Sequence, residues 1–289
     1  MKVVYPFLAV LLLALVAYIG SISGLEYLFG VIIPYISVLM FLVGFIWKIY
    51  DWVKSPVPFR IPTTCGQAKS LDWIKREEFE SPSGFWGVVG RMSLEVLFFR
   101  SLFRNTKAEL ASGPSLVYSS SKWLWGAGLL FHWSFLIIVL RHYRFFLADV
   151  PGFVTFLESI DGFLQITLPT LYITDLIIVT SVTFLFFRRL ASAQMRIISL
   201  STDYFPLLLI LAIALSGVSM RYIDKVDIVA IKVLIQGLLS FKFDAPGEIG
   251  GMFYVHLFLV CVLISYFPFS KLMHLGGVFL SPTRNLANN

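Results

Sequence analysis

Residues 129–146 read LLFHWSFLIIVLRHYRFF, an almost unbroken apolar run that nevertheless carries His132 and His142. The whole chain of 289 residues holds only four histidines. The other two, His256 and His274, lie in a second apolar stretch, YVHLFLVCVLISYFPFSKLMHLGG at 254–277. Burying a polar imidazole ring among apolar side chains costs free energy unless the ring has a hydrogen-bond partner or a bound ligand. We therefore expect the four imidazoles to share a role.

The composition indicates an integral membrane protein. Hydrophobic residues make up 58% of the chain and charged residues only 14%, which is more apolar surface than a water-soluble chain of this length can bury. At about 1.5 Å of rise per residue, six apolar segments are long enough to cross about 30 Å of hydrocarbon. The sequence therefore predicts an all-α integral membrane bundle of six transmembrane helices, placed at 4–22, 28–48, 123–143, 164–187, 204–222 and 251–272.

The chain is expected to form one membrane domain over residues 1–289. Residues 1–27 would add an N-terminal helix, kept in preference to its removal as a signal peptide, to a core at 28–280. Residues 49–122 would form the one sizeable loop, between the second and third helices. No internal repeat suggests a second domain.

The distribution of Lys and Arg predicts the orientation. All but six of the 23 cationic residues lie in the loops 48–122 and 188–203 or at the termini, and Lys and Arg concentrate on the cytoplasmic side of membrane proteins. We therefore expect a multi-pass protein of the cell membrane with both termini and the long loop in the cytoplasm. The net charge of +6 reflects this topology and indicates no nucleic-acid partner.

Within the long loop, the stretch GVVGRMSLEVLFFRSLFRN at 87–105 is typical of a helix. It either lies in the membrane interface, or presents a surface to a partner protein, or is a solvated connector. The preceding PVPFRIP at 56–62 predicts an extended, proline-stiffened segment.

The four histidines form two pairs when the helices are oriented. The third helix runs from inside to outside and the sixth runs back, so His142 meets His256 near the outer face and His132 meets His274 near the inner face. Two neutral imidazoles facing each other across a bundle are the axial ligands that a b-type haem requires. The sequence therefore predicts two non-covalent b haems.

The spacing supports the outer pair more directly than the inner one. Ten residues from His132 to His142 correspond to about 15 Å of helix, enough for two stacked macrocycles. Eighteen residues from His256 to His274 correspond to about 27 Å in a straight helix, so Pro268 is expected to kink it. Gly128, one turn before His132, is expected to clear space for a porphyrin.

Two alternative roles for the histidines remain. A single buried histidine is more often a hydrogen-bonded core residue than a ligand, but four in two antiparallel pairs reverse that preference. A histidine-lined metal transporter usually adds carboxylates, and Asp175 is almost the only one in the spans. The two cysteines form no C-x-x-C, which excludes a self-contained iron–sulfur cluster and a covalent c-type haem.

The histidine arrangement resembles that of the cytochrome b, or gamma, subunits of respiratory nitrate reductases, across about residues 28–280. A closer resemblance is to the DsrM family, the cytochrome b subunits of the membrane complex that feeds electrons to dissimilatory sulfite reduction. PFRIPTTCGQ at 58–67, GVVGRMSLEVLFFRSLFRNT at 87–106 and the extra first helix carry that likeness. A gamma subunit of a nitrate reductase or heterodisulfide reductase type complex is the alternative.

The resemblance implies a function. In such subunits menaquinol is oxidised near the outer haem, and electrons pass through the inner haem to a cytoplasmic iron–sulfur partner resembling the catalytic subunit of heterodisulfide reductase. Its haem-ligand roles carry over to His142 and His256 for the outer haem and to His132 and His274 for the inner one. Further membrane and multihaem cytochrome c subunits are expected. The chain would be one half of a redox enzyme, with the terminal reduction elsewhere.

Charged residues near the outer level are further candidates. Asp175, in LPTLYITDLIIV at 168–179, is an ionisable residue inside a span and is predicted to bind quinol or accept its protons. Arg141 adjoins His142 and is expected to pair with a haem propionate, since guanidinium binds a carboxylate bidentately. Arg144 and Arg221 offer the same chemistry, or simply extend to the lipid headgroups.

Overall fold

The computed structural model describes residues 2–55, 69, 71–110, 116–164, 170–245 and 247–287. The stretches PVPFRIP and PFRIPTTCGQ lie outside these residues. The described chain is predominantly α-helical, with two small two-stranded antiparallel sheets. The helices are α1 Val4–Ile22, α2 Ile33–Lys54, α3 Phe85–Phe98, α4 Arg100–Arg104, α5 Lys122–Arg141, α6 Tyr143–Phe146, α7 Gly152–Asp161, α8 Ile173–Ala191, α9 Ala193–Ile198, α10 Ser201–Ser219, α11 Ile228–Leu239, α12 Gly251–Tyr266, α13 His274–Leu280 and α14 Pro282–Asn285.

The strands are short and lie in connections between helices. Strand β1, Thr106–Leu110, pairs with β2, Leu116–Ser120, and strand β3, Gly162–Leu164, pairs with β4, Leu171–Tyr172. Helical π turns precede α2 and extend α10, at Leu28–Ile32 and Met220–Asp224.

Five described helical segments are long and apolar enough to cross a membrane. They are Val4–Ile22, Leu28–Lys54, Lys122–Phe146, Ser201–Asp224 and Gly251–Phe269. At the sixth predicted segment, 164–187, the structure differs from the prediction. Residues 162–164 form strand β3, and helix α8 begins only at Ile173. That helix carries Asp175, Arg188 and Arg189 in its 19 residues, so the count supported by length and composition is five and not six.

The first of two compact units comprises Met1–Val43 and Leu130–Tyr266. Its core is formed where α1, α10 and α12 pack, and includes the fully buried Ala17, Leu209 and Leu259. Most other apolar side chains of α1 are exposed, whereas those of α10 and α12 are mostly half-buried. An apolar exterior around a small buried core is the pattern expected when lipid covers the outside of a bundle.

The second unit comprises Gly44–Leu129 and Phe267–Asn289. It contains the helical part of the long loop, which forms α3 and α4, and the predicted helix at 87–105 is confirmed. The two helices are separated at Phe99, whose φ of 50° is left-handed.

Helix α12 ends as an α-helix at Tyr266, and Phe267–Phe269 continues as a single 3₁₀ turn around Pro268. The expected break at this proline is therefore present.

Arg91 fastens the C-terminal segment to α3. It is only 3% exposed and donates to the carbonyl oxygens of Leu286, at 2.8 Å, of Glu80, at 3.3 Å, and of Arg284. Burial lowers the pKa of the Arg91 guanidinium from its ordinary value. The side chain therefore supplies donors to backbone groups that have no helical partner of their own.

Arg91→Met is expected to loosen the C-terminal segment, because an unsatisfied buried carbonyl costs about 1–3 kcal/mol. The measurement is limited proteolysis, with earlier cleavage after residue 280 in the variant. Arg76→Met is the control, because its ion pair with Glu78 is exposed and such pairs contribute little. Equal cleavage rates in the two variants would contradict the role of Arg91.

Candidate haem site

The structure brings His142 and His256 together within the first unit. His142 directly follows the last residue of α5, and His256 lies in the second turn of α12. Their ring centroids are 6.4 Å apart and the ring planes differ by 9°. This is the pair that antiparallel helix geometry predicts for the outer level.

Both rings are held through the same nitrogen. Nδ1 of His142 lies 2.7 Å from the carbonyl oxygen of Ile138, so it must carry the proton and donate. Nδ1 of His256 lies 2.9 Å from Oγ of Ser216. That hydroxyl donates its only proton to the carbonyl oxygen of Ile213, so it accepts from Nδ1. With the proton of each ring assigned to Nδ1 in this way, each Nε2 would be the unprotonated nitrogen, as a metal ligand must be.

The separation of the rings fits one metal ion between them. If both Nε2 atoms were bound to one ion in a line, two bonds of about 2.0 Å, with about 1.1 Å from each nitrogen to its ring centroid, would place the centroids about 6.2 Å apart. Among the described residues, neither Nε2 has a hydrogen-bond partner. Gly217 keeps the flank of His256 open, since a Cβ there would lie 3.4 Å from Cε1 of the ring. The donor set therefore fits a bis-histidine haem.

Ser216→Ala is expected to weaken haem retention about ten- to hundredfold, because it removes the acceptor that orients His256. Loss of this hydrogen bond also lowers ligand basicity, so the reduction potential of the affected haem should rise. Redox titration and haem content after gel filtration measure both effects. Ser181→Ala is the control, because that buried hydroxyl donates to Ile178 in its own helix. Unchanged potential and retention in Ser216→Ala would contradict the orienting role.

The two histidines of the predicted inner pair belong to different compact units. His132 is exposed in α5 and its ring packs edge-on against Phe131, with 4.9 Å between centroids. His274 begins α13, and its Nδ1 lies 3.0 Å from the carbonyl oxygen of Lys271. His274 therefore has the same Nδ1-to-carbonyl contact as His142, and its pairing with His132 stays a prediction.

Arg141 takes part in a buried polar cluster. Its Nη1 donates to Oδ2 of Asp161, at 2.5 Å, and to Oγ1 of Thr174, at 3.0 Å. Asp161, 5% exposed, also accepts from the backbone N–H and hydroxyl of Thr174. This side of the guanidinium is therefore occupied by protein groups, and a propionate contact of Arg141 stays a prediction.

Asp175 extends this polar cluster. Its Oδ1 lies 3.8 Å from Nη1 of Arg141, and its Oδ2 accepts from the hydroxyl of Tyr222 at 2.8 Å. Arg221 donates to the carbonyl oxygen of Thr170. The ring of Tyr172 has the guanidinium of Arg141 at 3.5 Å and that of Arg221 at 4.0 Å. Residues 161–175 and 221–222 thus meet at Arg141, which directly precedes His142.

Asp161, Tyr172, Ser216 and Tyr222 are missing from the sequence-based site. Asp161 ends a ten-residue helix outside any predicted span, and its only sequence signal is a carboxylate beside an apolar segment. Gly128 is placed in the second unit, where a Cβ would lie 3.9 Å from Cδ2 of Leu102. Its role beside a porphyrin stays a prediction.

No group of three or more His, Cys, Asp and Glu residues able to hold a metal ion occurs within the described parts of the chain. His142 and His256 face each other as a pair, which suits a flat cofactor better than a site that mixes histidine with carboxylates. The arrangement of this pair does not favour the metal-transporter alternative.

Comparisons with known proteins show the family of the chain. The model of the nitrate reductase gamma subunit family matches residues 83–288. A protein of Archaeoglobus fulgidus described as an Hdr-like menaquinol oxidoreductase cytochrome b-like subunit is 45% identical over 269 residues, which is 91% of this chain and 80% of the relative. Its counterpart in Archaeoglobus profundus is 40% identical over 265 residues, 89% of this chain and 78% of that protein. The present chain is therefore a multi-pass membrane protein that belongs to the nitrate reductase gamma subunit family.

Proposed function

We propose that this chain is the dihaem cytochrome b subunit of a menaquinol-oxidising membrane complex. The observation that carries the proposal is the pair His142 and His256, with parallel rings 6.4 Å apart and Nδ1 of each ring hydrogen bonded. A bound b haem would accept and donate one electron at a time. His142 and His256 would hold one haem, and His132 and His274 the other.

The polar cluster beside His142 is proposed to accept the protons released when quinol is oxidised. Oxidation of a quinol releases two electrons and two protons, so the site needs groups that accept protons as electrons leave. Asp175 is suited to this role, since Tyr222 and Arg141 orient its carboxylate from two sides. Menaquinol as the substrate is supported by the descriptions of the two archaeal relatives as menaquinol oxidoreductase subunits.

The topology of the proposal needs a sixth span. Five spans would place the termini on opposite sides of the membrane, whereas the distribution of Lys and Arg favours one side for both. Helix α8 is the candidate, because its charged residues lie in its first and last turns and the 12 residues between them are uncharged. With α8 included, both termini and the loop at 49–122 face the cytoplasm of the cell.

The electron acceptor is proposed to be a cytoplasmic iron–sulfur subunit of heterodisulfide reductase type, within a complex that serves dissimilatory sulfite reduction and also contains further membrane and multihaem cytochrome c subunits. The names of the archaeal relatives support the heterodisulfide-reductase-like partner. The family match also supports a second candidate, a gamma subunit of nitrate reductase type. Identification of the cytoplasmic protein that co-purifies with the tagged chain distinguishes the two.

The test of the proposed function is haem analysis of the purified chain. We expect two non-covalent b haems per chain, and reduction of both by a menaquinol analogue when the complex is intact. A preparation that is folded, as judged by circular dichroism and gel filtration, but shows no b-type absorption band after reduction would overturn the proposal in favour of a transporter.

A further inference from the structure

Helix α3 exposes apolar residues on one face and buries a charged residue on the other. Phe85, Trp86, Val89 and Val96 are exposed along one face, and Trp86 is 80% exposed. Arg91, in contrast, is buried on the other face. A helix on the surface of a water-soluble domain places its apolar stripe against the core and its charges outside.

The inward polar residues of α3 have their own partners in the second unit. Arg91 donates to three backbone carbonyl oxygens. Glu95 accepts from the backbone N–H of Ser101, at 3.0 Å, and from its hydroxyl, at 2.7 Å. These bonds fix which face of α3 points inward, so the opposite, apolar face is the one left exposed.

The C-terminal end of α3 is attached to the beginning of a membrane span. Nε1 of Trp125, in the first turn of α5, donates to the carbonyl oxygen of Phe98 at 2.7 Å. Phe103 packs edge-on against the Trp125 ring, with 4.9 Å between centroids, and Lys122 lies over Phe103. The neighbouring Trp123 is 84% exposed. Tryptophan and lysine at the end of a span mark the level of the lipid headgroups.

We propose that α3 is an interfacial membrane helix, whose face formed by Phe85, Trp86, Val89, Ser93 and Val96 is immersed in the lipid leaflet where the span Lys122–Phe146 begins. The occupant is lipid because this apolar face is exposed and the C-terminal end of α3 is hydrogen bonded to the first turn of α5, where that span enters the membrane. Aromatic and aliphatic residues on one face of a helix that lies in the interface are the composition expected there. The inference concerns the loop alone and does not depend on the proposed redox function.

Spin labelling of the full-length chain in nanodiscs of phosphatidylcholine and phosphatidylglycerol tests this inference. Single cysteines replace Val89, Ser93 or Val96 in a background with Cys65→Ser and Cys261→Ser, and each carries a nitroxide. Power-saturation EPR then compares accessibility to oxygen, which concentrates in lipid, with accessibility to a water-soluble nickel chelate. Glu77→Cys is the matched control in the same loop, because Glu77 is exposed and lies outside α3.

We expect oxygen accessibility to exceed nickel accessibility at all three positions of α3 and the reverse at Glu77→Cys. Greater nickel accessibility on α3 would show that water covers the face and would overturn the proposal. Low accessibility to both reagents would show that protein covers it, which also overturns the proposal. The Ser93→Cys label keeps the test valid if the larger change at Val89 or Val96 disturbs folding, which circular dichroism and gel filtration of each variant report.

Discussion

Replacing His256 with alanine is expected to abolish one of two b-type spectral components and leave the other intact. The imidazole of His256 is one of the two axial ligands proposed for the outer haem, and Ser216 holds its Nδ1 through a hydrogen bond. A bis-histidine site that loses one ligand loses half of its protein–iron bonds. The measurement is haem content per chain, with reduced-minus-oxidised spectra at low temperature, for His256→Ala and wild type.

The companion variants make the result specific. His142→Ala should lose the same component as His256→Ala, because both residues are proposed to bind the same iron. His132→Ala and His274→Ala should lose the second component. Tyr254→Phe is the matched control within the same turn of α12, since it removes only a hydroxyl. Loss of different components in His142→Ala and His256→Ala would refute the pairing, even if total haem falls in both.

Asp175→Asn is expected to lower quinol oxidation about a hundredfold while both haems remain bound, because general acid–base groups contribute about 10²–10⁴-fold. The asparagine keeps the size of the side chain and the contact with Tyr222 but cannot take up a proton. The rate of haem reduction by a menaquinol analogue measures the effect. Reduction by dithionite bypasses the quinol site and should proceed as in wild type.

Two further variants support the interpretation of Asp175. Tyr222→Phe should reduce the quinol-driven rate less than Asp175→Asn, since it removes the hydrogen bond to the carboxylate but keeps the carboxylate. Asp244→Asn, in an exposed loop, should have no effect on that rate. A quinol-driven rate in Asp175→Asn equal to wild type, with normal haem content, would exclude the proposed role.

The pairing of His142 with His256 could be predicted from the sequence, because it depends only on the direction of the helices and the depth of each residue. With six spans, the direction of each helix follows from alternation across the membrane, and the depth of each residue follows from the rise per residue. These two quantities suffice to match His142 with His256 before any side chain is placed. The break at Pro268 follows in the same way from the chemistry of proline.

Only part of the polar cluster could be predicted from the sequence. Arg141 and Asp175 were candidates, but the connections that bring their partners to them are irregular. Asp161 and Thr174 lie on either side of the β3–β4 connection, and Tyr222 lies in a π turn that extends α10. Apolar periodicity contains no information on such connections. The same connection accounts for the late start of α8, because residues 162–164 pair as a strand with residues 171–172 and do not form the first turn of a helix.

Helix α3 shows a second limit of periodicity. Its sequence indicates a helix, but three placements of that helix remained open from the sequence alone. The contacts of Arg91 and Glu95 decide which face points outward, and these contacts join α3 to Ser101 and to residues 284–286. The second of these partner segments is far from α3 in sequence, which is why periodicity could not orient the helix.

The most direct test of the central claim is an experimental density map of the purified chain at a resolution that shows side chains. The account predicts a porphyrin between His142 and His256, with its iron bonded to Nε2 of each ring and Nδ1 of each ring hydrogen bonded as described. A map in which these two rings contact each other, or protein or lipid lies between them, would contradict it.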